Sequence, residues 1–251
     1  MAATLAIAKN VTSKTYMSGM SSFFDAVSDP DRYGKPWFEH MAASVVPSGL
    51  AAEARREDPY MRTAAGMVDA IKRRVPGMSK DLPPVRDLWG RPTDYRSGEG
   101  ATFDALSPVY IKREHPEPID KELERLGYYP DMPPRKIQID GVPLDLNKAP
   151  ELYAEFVRLA GNDAKNPDTG LGAKDYLNGV MTKVDSDAAL YWQAQMTDGP
   201  DGVRAGFIRD KVRMYRELAK HDMITPGSPG YSPKLRAMYD LGAFNQQQAR
   251  Q

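Results

Sequence analysis

The stretch from Val75 to Pro92, VPGMSKDLPPVRDLWGRP, sets the strongest limit on how this chain can fold. It opens with Pro76-Gly77, carries the Pro83-Pro84 pair and closes on a Trp-Gly-Arg-Pro turn. Proline removes a backbone donor and fixes φ, and it pushes the residue before it toward extended geometry. No regular element is expected to run through this segment. It reads as a strap lying extended on a surface, pinned by Met78, Leu82, Leu88 and Trp89.

The strap divides the 251 residues into an N-terminal helical segment (1–75), the Pro-rich strap with a short helix (76–134), and a hairpin with a C-terminal helical domain (135–251). The expected class is mainly α, with long Pro-rich extended straps and one small β-hairpin near 135–146. Before the strap, apolar residues recur at helical spacing over 3–27, 36–46 and 59–75, with a further short helix over 49–56. Pro36 and Pro59 suit first turns, and Pro47 stops the second stripe. The Met17, Met20, Phe23, Phe24 and Trp37, Phe38, Met41 groups read as core or as partner-binding helix faces. Residues 93–116 read as an irregular loop, long enough to wrap over a neighbour.

Beyond it, Pro118–Leu126 reads as a helix capped by Gly127. Ile137 and Ile139 alternate before Asp140-Gly141, and Val142, Leu144 and Leu146 alternate after it. An Asp-Gly pair between alternating runs predicts a hairpin, and Pro143 puts the second strand at an edge. Helices follow over 150–160, 173–184, from an N-cap at Ser186, over 202–222, and from Ser232-Pro233 to a cap at Gly242. The QQQARQ tail reads as frayed.

Charge and chemistry narrow the function classes. Lys and Arg together number 34, as do Asp and Glu, so the net charge is zero and gives no general pull toward nucleic acid. With no cysteine, disulfides and thiolate metal sites are excluded. No run of 18 apolar residues predicts a membrane-spanning helix, and MAATLAIAKN lacks the basic start of a signal peptide. The chain reads as made in a cytoplasm. His40, His115 and His221 lack metal-ligand spacing. GLGAKD at 170–175 lacks the ending of a phosphate loop. Glu122, Glu124, Asp140 and Asp145 could be imagined as the acid and base of a glycosidase or transglycosylase, the cell-wall lytic alternative, but read better as solvated helix positions and hairpin residues. Asp185 and Asp187 read as capping charges. No catalytic residue, cofactor or metal is expected. One pattern is sharper: Arg209, Arg213, Arg216 and Lys220 fall at i, i+4, i+7 and i+11 of the longest helix, a row able to face phosphates or an acidic partner. As a solvated helix face it would be partly neutralised by Asp210 and Glu217.

Several phrases share an order with a known family. YMSGMSSFFDAVSDPDRYG (16–34), MAASVVPSGL (41–50), DPYMR (58–62), AIKRRVPGMSKDLPPVRDLWGRP (70–92), SPVYI (107–111), PIDKELERLG (118–127), IDGVPLDL (139–146) and IRDKVRMYRELAKHDMI (208–224) together resemble the C-terminal region of the large polyvalent or internal virion proteins of tailed bacteriophages, some of them ejection proteins. The resemblance runs over about residues 10–225 in that family's order. It implies a structural component of a podovirus-like particle, made in the host cytoplasm and located in the virion. Such a component lies inside the capsid or on the portal or tail, in many copies or a ring. Its implied partners are portal, tail or internal core proteins, and packaged DNA. Peptidoglycan-cleaving and polymerase domains of long members lie elsewhere in their chains, so no enzyme is implied. On this reading the partner interface is Met78, Leu82, Pro83, Pro84, Leu88 and Trp89, and Trp89→Ala should weaken assembly more than it destabilises the fold.

Overall fold

The computed structural model describes residues 54–75, 77–94, 116–185, 187–193 and 195–249. The expected helices over 3–27 and 36–46, most of the 49–56 helix, the Ser186 cap and the 95–115 part of the loop lie outside them. The described fold is mainly helical with one two-stranded antiparallel hairpin. Two compact units, Met1–Leu82 and Pro83–Gln251, divide within the strap rather than at its ends.

In the first unit, residues 54–57 are helical and α1 spans Met67–Lys72. The helix expected from Pro59 to Val75 is therefore only six residues long. Asp58 accounts for much of the difference. Its buried carboxylate accepts from Arg62 at 2.9 and 3.0 Å and from Ser79 Oγ at 2.6 Å. Arg62 also donates to the Leu82 carbonyl at 2.9 Å. The two long-range bonds, Asp58 to Ser79 and Arg62 to Leu82, hold 58–62 out of helical geometry, and Gly66 enters α1 fully extended. Ser79–Asp81 forms a 3-10 turn, so the first part of the strap is not extended throughout.

In the second unit, α2 (Pro118–Leu126) begins with a reciprocal capping box between Glu117 and Asp120, with proline at its first position. Left-handed Gly127 ends it, as its sequence requires. Strands β1 (Lys136–Ile139) and β2 (Val142–Asp145) pair with Ile139 opposite Val142 and Ile137 opposite Leu144. Asp140 and Gly141 both take positive φ, the conformation a two-residue hairpin turn needs.

Helix α3 (Pro150–Arg158) continues into a π-helical turn, Leu159–Asp163, closed by Ala164 N–H to the Leu159 carbonyl at 2.9 Å. Helices α4 (Ala173–Met181) and the short α5 (Ala188–Tyr191) follow. The 22-residue α6 (Val203–Ile224) is about 33 Å long at 1.5 Å per residue. Helix α7 runs from Pro233 to Gln248, capped by Ser232 and extending past the expected stop at Gly242. A Cβ at Gly242 would lie 2.6 Å from Val142 Cγ1, so this glycine serves close packing on β2 and is no helix end.

Two apolar clusters fill this unit. The first joins the hairpin residues Ile137, Ile139, Val142 and Leu144 to Phe156 and Leu159, and to Ala219, Met223 and Leu235. The second joins Trp89 to Ile119, Leu123, Leu177, Val180, Tyr191, Ile208, Val212 and Tyr215. Helix α6 contributes to both.

Candidate interaction surfaces

The strap residues read as a partner interface are not equivalent. Met78 in the first unit is 42 % exposed, whereas Leu82 is buried there. In the second unit Pro83, Pro84 and Leu88 are half-buried, and Trp89 is 4 % exposed. The Trp89 indole packs in the second cluster, and its Nε1 donates to Asp120 Oδ1 at 2.7 Å.

The backbone around Trp89 is fixed as firmly as its ring. Asp87 Oδ1 accepts from the N–H of Trp89 (3.0 Å) and Arg91 (2.8 Å), and Oδ2 accepts from Arg91 Nε (2.7 Å). Asp87 N–H donates to the Arg91 carbonyl at 2.9 Å, and Arg86 bridges to Pro92 in antiparallel fashion. Gly90 turns with φ of +77°, and a Cβ there would lie 2.8 Å from the Arg158 carbonyl oxygen. A Cβ at Gly161, in the π turn, would overlap the carbonyl carbon of Trp89. The two glycines let the strap's turn lie directly on the backbone at the end of α3. Trp89 thus anchors the strap to its own chain. The ring and its hydrogen bond belong to the core, so Trp89→Ala acts on this chain's own fold as well as on any partner contact.

The basic row on α6 also divides. Arg209 is exposed, lies 5.2 Å from the Tyr128 ring centroid and donates to the Pro200 carbonyl at 3.3 Å. Arg213 is exposed. Arg216 is half-buried and donates to the Asp131 carbonyl, and burial lowers its pKa. Lys220 pairs with Glu217 at 2.7 Å, its side chain 12 % exposed. Arg209 and Arg213 therefore remain as the outward pair. Helical spacing marks all four positions equally, but the Asp131 carbonyl engages Arg216 and Glu217 engages Lys220.

Of the carboxylates considered for acid–base work, Glu124 is exposed and Asp140 accepts from Tyr239, whereas Glu122, expected as a solvated helix position, is enclosed by the core. Glu122 is buried, accepts from Tyr191 Oη at 2.6 Å, and takes the Arg125 guanidinium on both oxygens at 2.7 Å. Burial and this carboxylate push the Tyr191 hydroxyl far above the usual tyrosine range. Arg125 reaches on to Asp198 at 2.7 Å, where Arg204 also binds, and these two cations hold the Asp198 carboxyl well below the usual range. Asp187, expected as a capping charge, stands at the start of α5 but makes no side-chain cap bond there; it accepts from Lys211 at 2.8 Å and from the Tyr176 hydroxyl, and both depress its pKa. Asp145 accepts from the Asn147 backbone and side chain at 2.9 and 2.6 Å.

His221 lies exposed near the end of α6; His40 and His115 fall outside the described residues. Among the described residues no group of three or more His, Asp or Glu side chains is arranged to hold a metal ion, and no helix is long and apolar enough to cross a membrane. Sequence reasoning missed the outward side of the 129–138 segment. Tyr129 is 68 % exposed there, Met132 and Lys136 are also exposed, and the Pro130, Pro133 and Pro134 signals pointed only to extended chain. In comparisons with known proteins, no family model, no curated protein and no solved structure matches this chain.

Proposed function

We propose that the protein is a non-enzymatic structural component of a tailed-phage virion, internal or associated with the portal or tail, and linked to genome ejection. The observation carrying this reading is the ordered set of phrases over residues 10–225, with AIKRRVPGMSKDLPPVRDLWGRP (70–92) the most specific. Glu122, Asp145 and Asp187 are engaged within this chain's own fold. Exposed Met78 remains the strap residue suited to a partner contact. Many copies would let weak local contacts add through avidity.

Quantitative mass spectrometry of purified particles, before and after triggered DNA release, tests the proposal. A fixed stoichiometry in full particles is expected. Loss on release would mark an ejection protein, and retention a portal- or tail-associated one. Absence from washed particles would overturn the reading.

A DNA-contacting role is the second reading, favoured by the exposed pair Arg209 and Arg213. It expects salt-sensitive DNA binding that is lost in the Arg209→Glu/Arg213→Glu double variant. No binding at low salt would end it.

A further inference from the structure

The hairpin's two outer edges differ. Hydrogen-bonded and non-hydrogen-bonded pairs alternate along an antiparallel ladder. Ile139 opposite Val142 and Ile137 opposite Leu144 are the bonded pairs, and the Arg135 carbonyl accepts from Leu146 N–H at 2.8 Å in the same phase. The N–H and C=O of Lys136 and Gln138 therefore point away from β2. On the far side, Pro143 offers no N–H, and α7 packs along β2. Tyr239 Oη donates to Asp140 at 3.2 Å and Gln246 to the Gly141 carbonyl at 3.0 Å, which fixes α7 over the turn.

On the β1 side, no described residue hydrogen-bonds to the outward groups of Lys136 or Gln138. An open edge of this kind is a template for another strand. Its approach is rigid. Prolines 130, 133 and 134 hold the segment extended, Tyr153 Oη donates to the Pro133 carbonyl at 2.9 Å, and Arg216 donates to that of Asp131.

The strip along β1 carries two cations, with Asp145 of β2 opposite the second. Arg135 and Lys136 are both exposed, and neither forms an ion pair among the described residues. Arg135 lies 4.0 Å from the Tyr153 ring centroid, which orients its guanidinium without neutralising it. Lys136 and Gln138 line an open groove of about 660 Å³ that Pro134 and Lys220 also border. The groove's acid, Asp145, stands opposite Lys136 in the ladder and accepts from Asn147, so it offsets part of the lysine's charge without closing an ion pair on it.

We propose that the outer edge of β1 binds an extended acidic segment of a partner protein as a third strand. The N–H and C=O of Lys136 and Gln138 supply the ladder, and Lys136 takes a carboxylate on the outer face of the incoming strand, while Arg135, on the opposite face, adds positive charge at the same edge. An edge lysine guards against neutral or basic strands, and the same charge selects an acidic one. A second copy of this chain would bring a further Arg135 and Lys136 to the edge in place of carboxylates. Nucleic acid offers no matching ladder of peptide N–H and C=O groups. The proposal rests on the edge itself and is independent of the virion reading.

Amide hydrogen exchange of the full chain tests it, with two capped six-residue peptides as probes, one alternating glutamate and valine, the other lysine and valine. The glutamate peptide is expected to slow exchange at Lys136 and Gln138, more weakly as salt rises, and the lysine peptide to leave both unchanged. Lys136→Glu should weaken binding by about tenfold or more through charge reversal alone. Gln138→Pro should abolish it by removing an outward N–H that the β1–β2 ladder does not use. Should that proline disturb the hairpin, Arg135→Glu/Lys136→Glu serves with the backbone unaltered. Several outcomes would overturn the proposal: no protection by the glutamate peptide, equal binding of the lysine peptide, protection that grows with protein concentration alone, or equal protection by a short DNA duplex.

Discussion

Trp89 donates its indole N–H to Asp120 at 2.7 Å, joining the strap to the first turn of α2, where Asp120 also accepts from Glu117 N–H at 3.1 Å. One carboxylate thus caps a helix and fixes a buried ring. Trp89→Ala should cost about 3–5 kcal/mol, as expected for loss of a buried aromatic. Trp89→Phe keeps much of the packing but leaves Asp120 short of one donor, for about 1 kcal/mol from the hydrogen bond, with some further loss of volume. Urea denaturation of the two variants separates ring from hydrogen bond; equal losses would contradict the geometry.

Two glycines should respond oppositely to the same change. Gly161→Ala forces a methyl into the Trp89 backbone and should destabilise by at least the 1–3 kcal/mol typical of overpacking. Gly206 lies within α6 with nothing within 4 Å of its absent Cβ. Gly206→Ala should stabilise by about 0.4–1 kcal/mol through the unfolded chain. Thermal unfolding of both against the parent is sufficient.

Asp58 should make the first unit acid-sensitive. Burial works against its ionisation, but bonds from Arg62, Ser79 and the Tyr60 N–H outweigh it and hold the carboxyl below its ordinary value of 3.8. The unfolded chain then takes up the proton more readily than the folded one. The stabilisation is complete above that ordinary value and is lost as pH falls through the lower folded value. Asp58→Asn should be less stable than the parent at pH 7, with the gap narrowing in acid. Denaturation series from pH 7 downward check this, and a constant gap would contradict it.

Glu122 should couple Tyr191 to Arg125. Tyr191→Phe removes one donor to the buried carboxylate, at about 1–2 kcal/mol. Arg125→Lys replaces a two-point fork with a point charge. Because both act on one buried group, the double variant should depart from additivity by about 0.5–3 kcal/mol. A double-mutant cycle measures that departure.

Local signals and distant ones differed in how well the chain disclosed them. The hairpin was legible because Asp140 and Gly141 carry the turn's positive φ themselves, and Gly127 ends α2 by the same local rule. Gly242 carries the same letter and does the opposite, sitting inside α7 because Val142 lies against it. No neighbouring residue encodes that partner. The 59–75 stripe has helical spacing, yet Asp58 meets Ser79 across 21 positions and shortens the helix. The strap's prolines correctly placed an irregular segment, but whether Trp89 faces a partner or its own core depends on Gly90 and Gly161 meeting backbone to backbone. The basic row was legible as spacing, and its division depends on the Asp131 carbonyl and Glu217.

Helix α6 supplies Ile208, Val212 and Tyr215 to one apolar cluster and Ala219, Met223 and Ile224 to the other. Neither cluster can melt without stripping contacts from the same rod, so the second unit should unfold as a single cooperative block. The amides between Val212 and Ala219 would then exchange with solvent only when that whole block opens, and would report its full unfolding free energy.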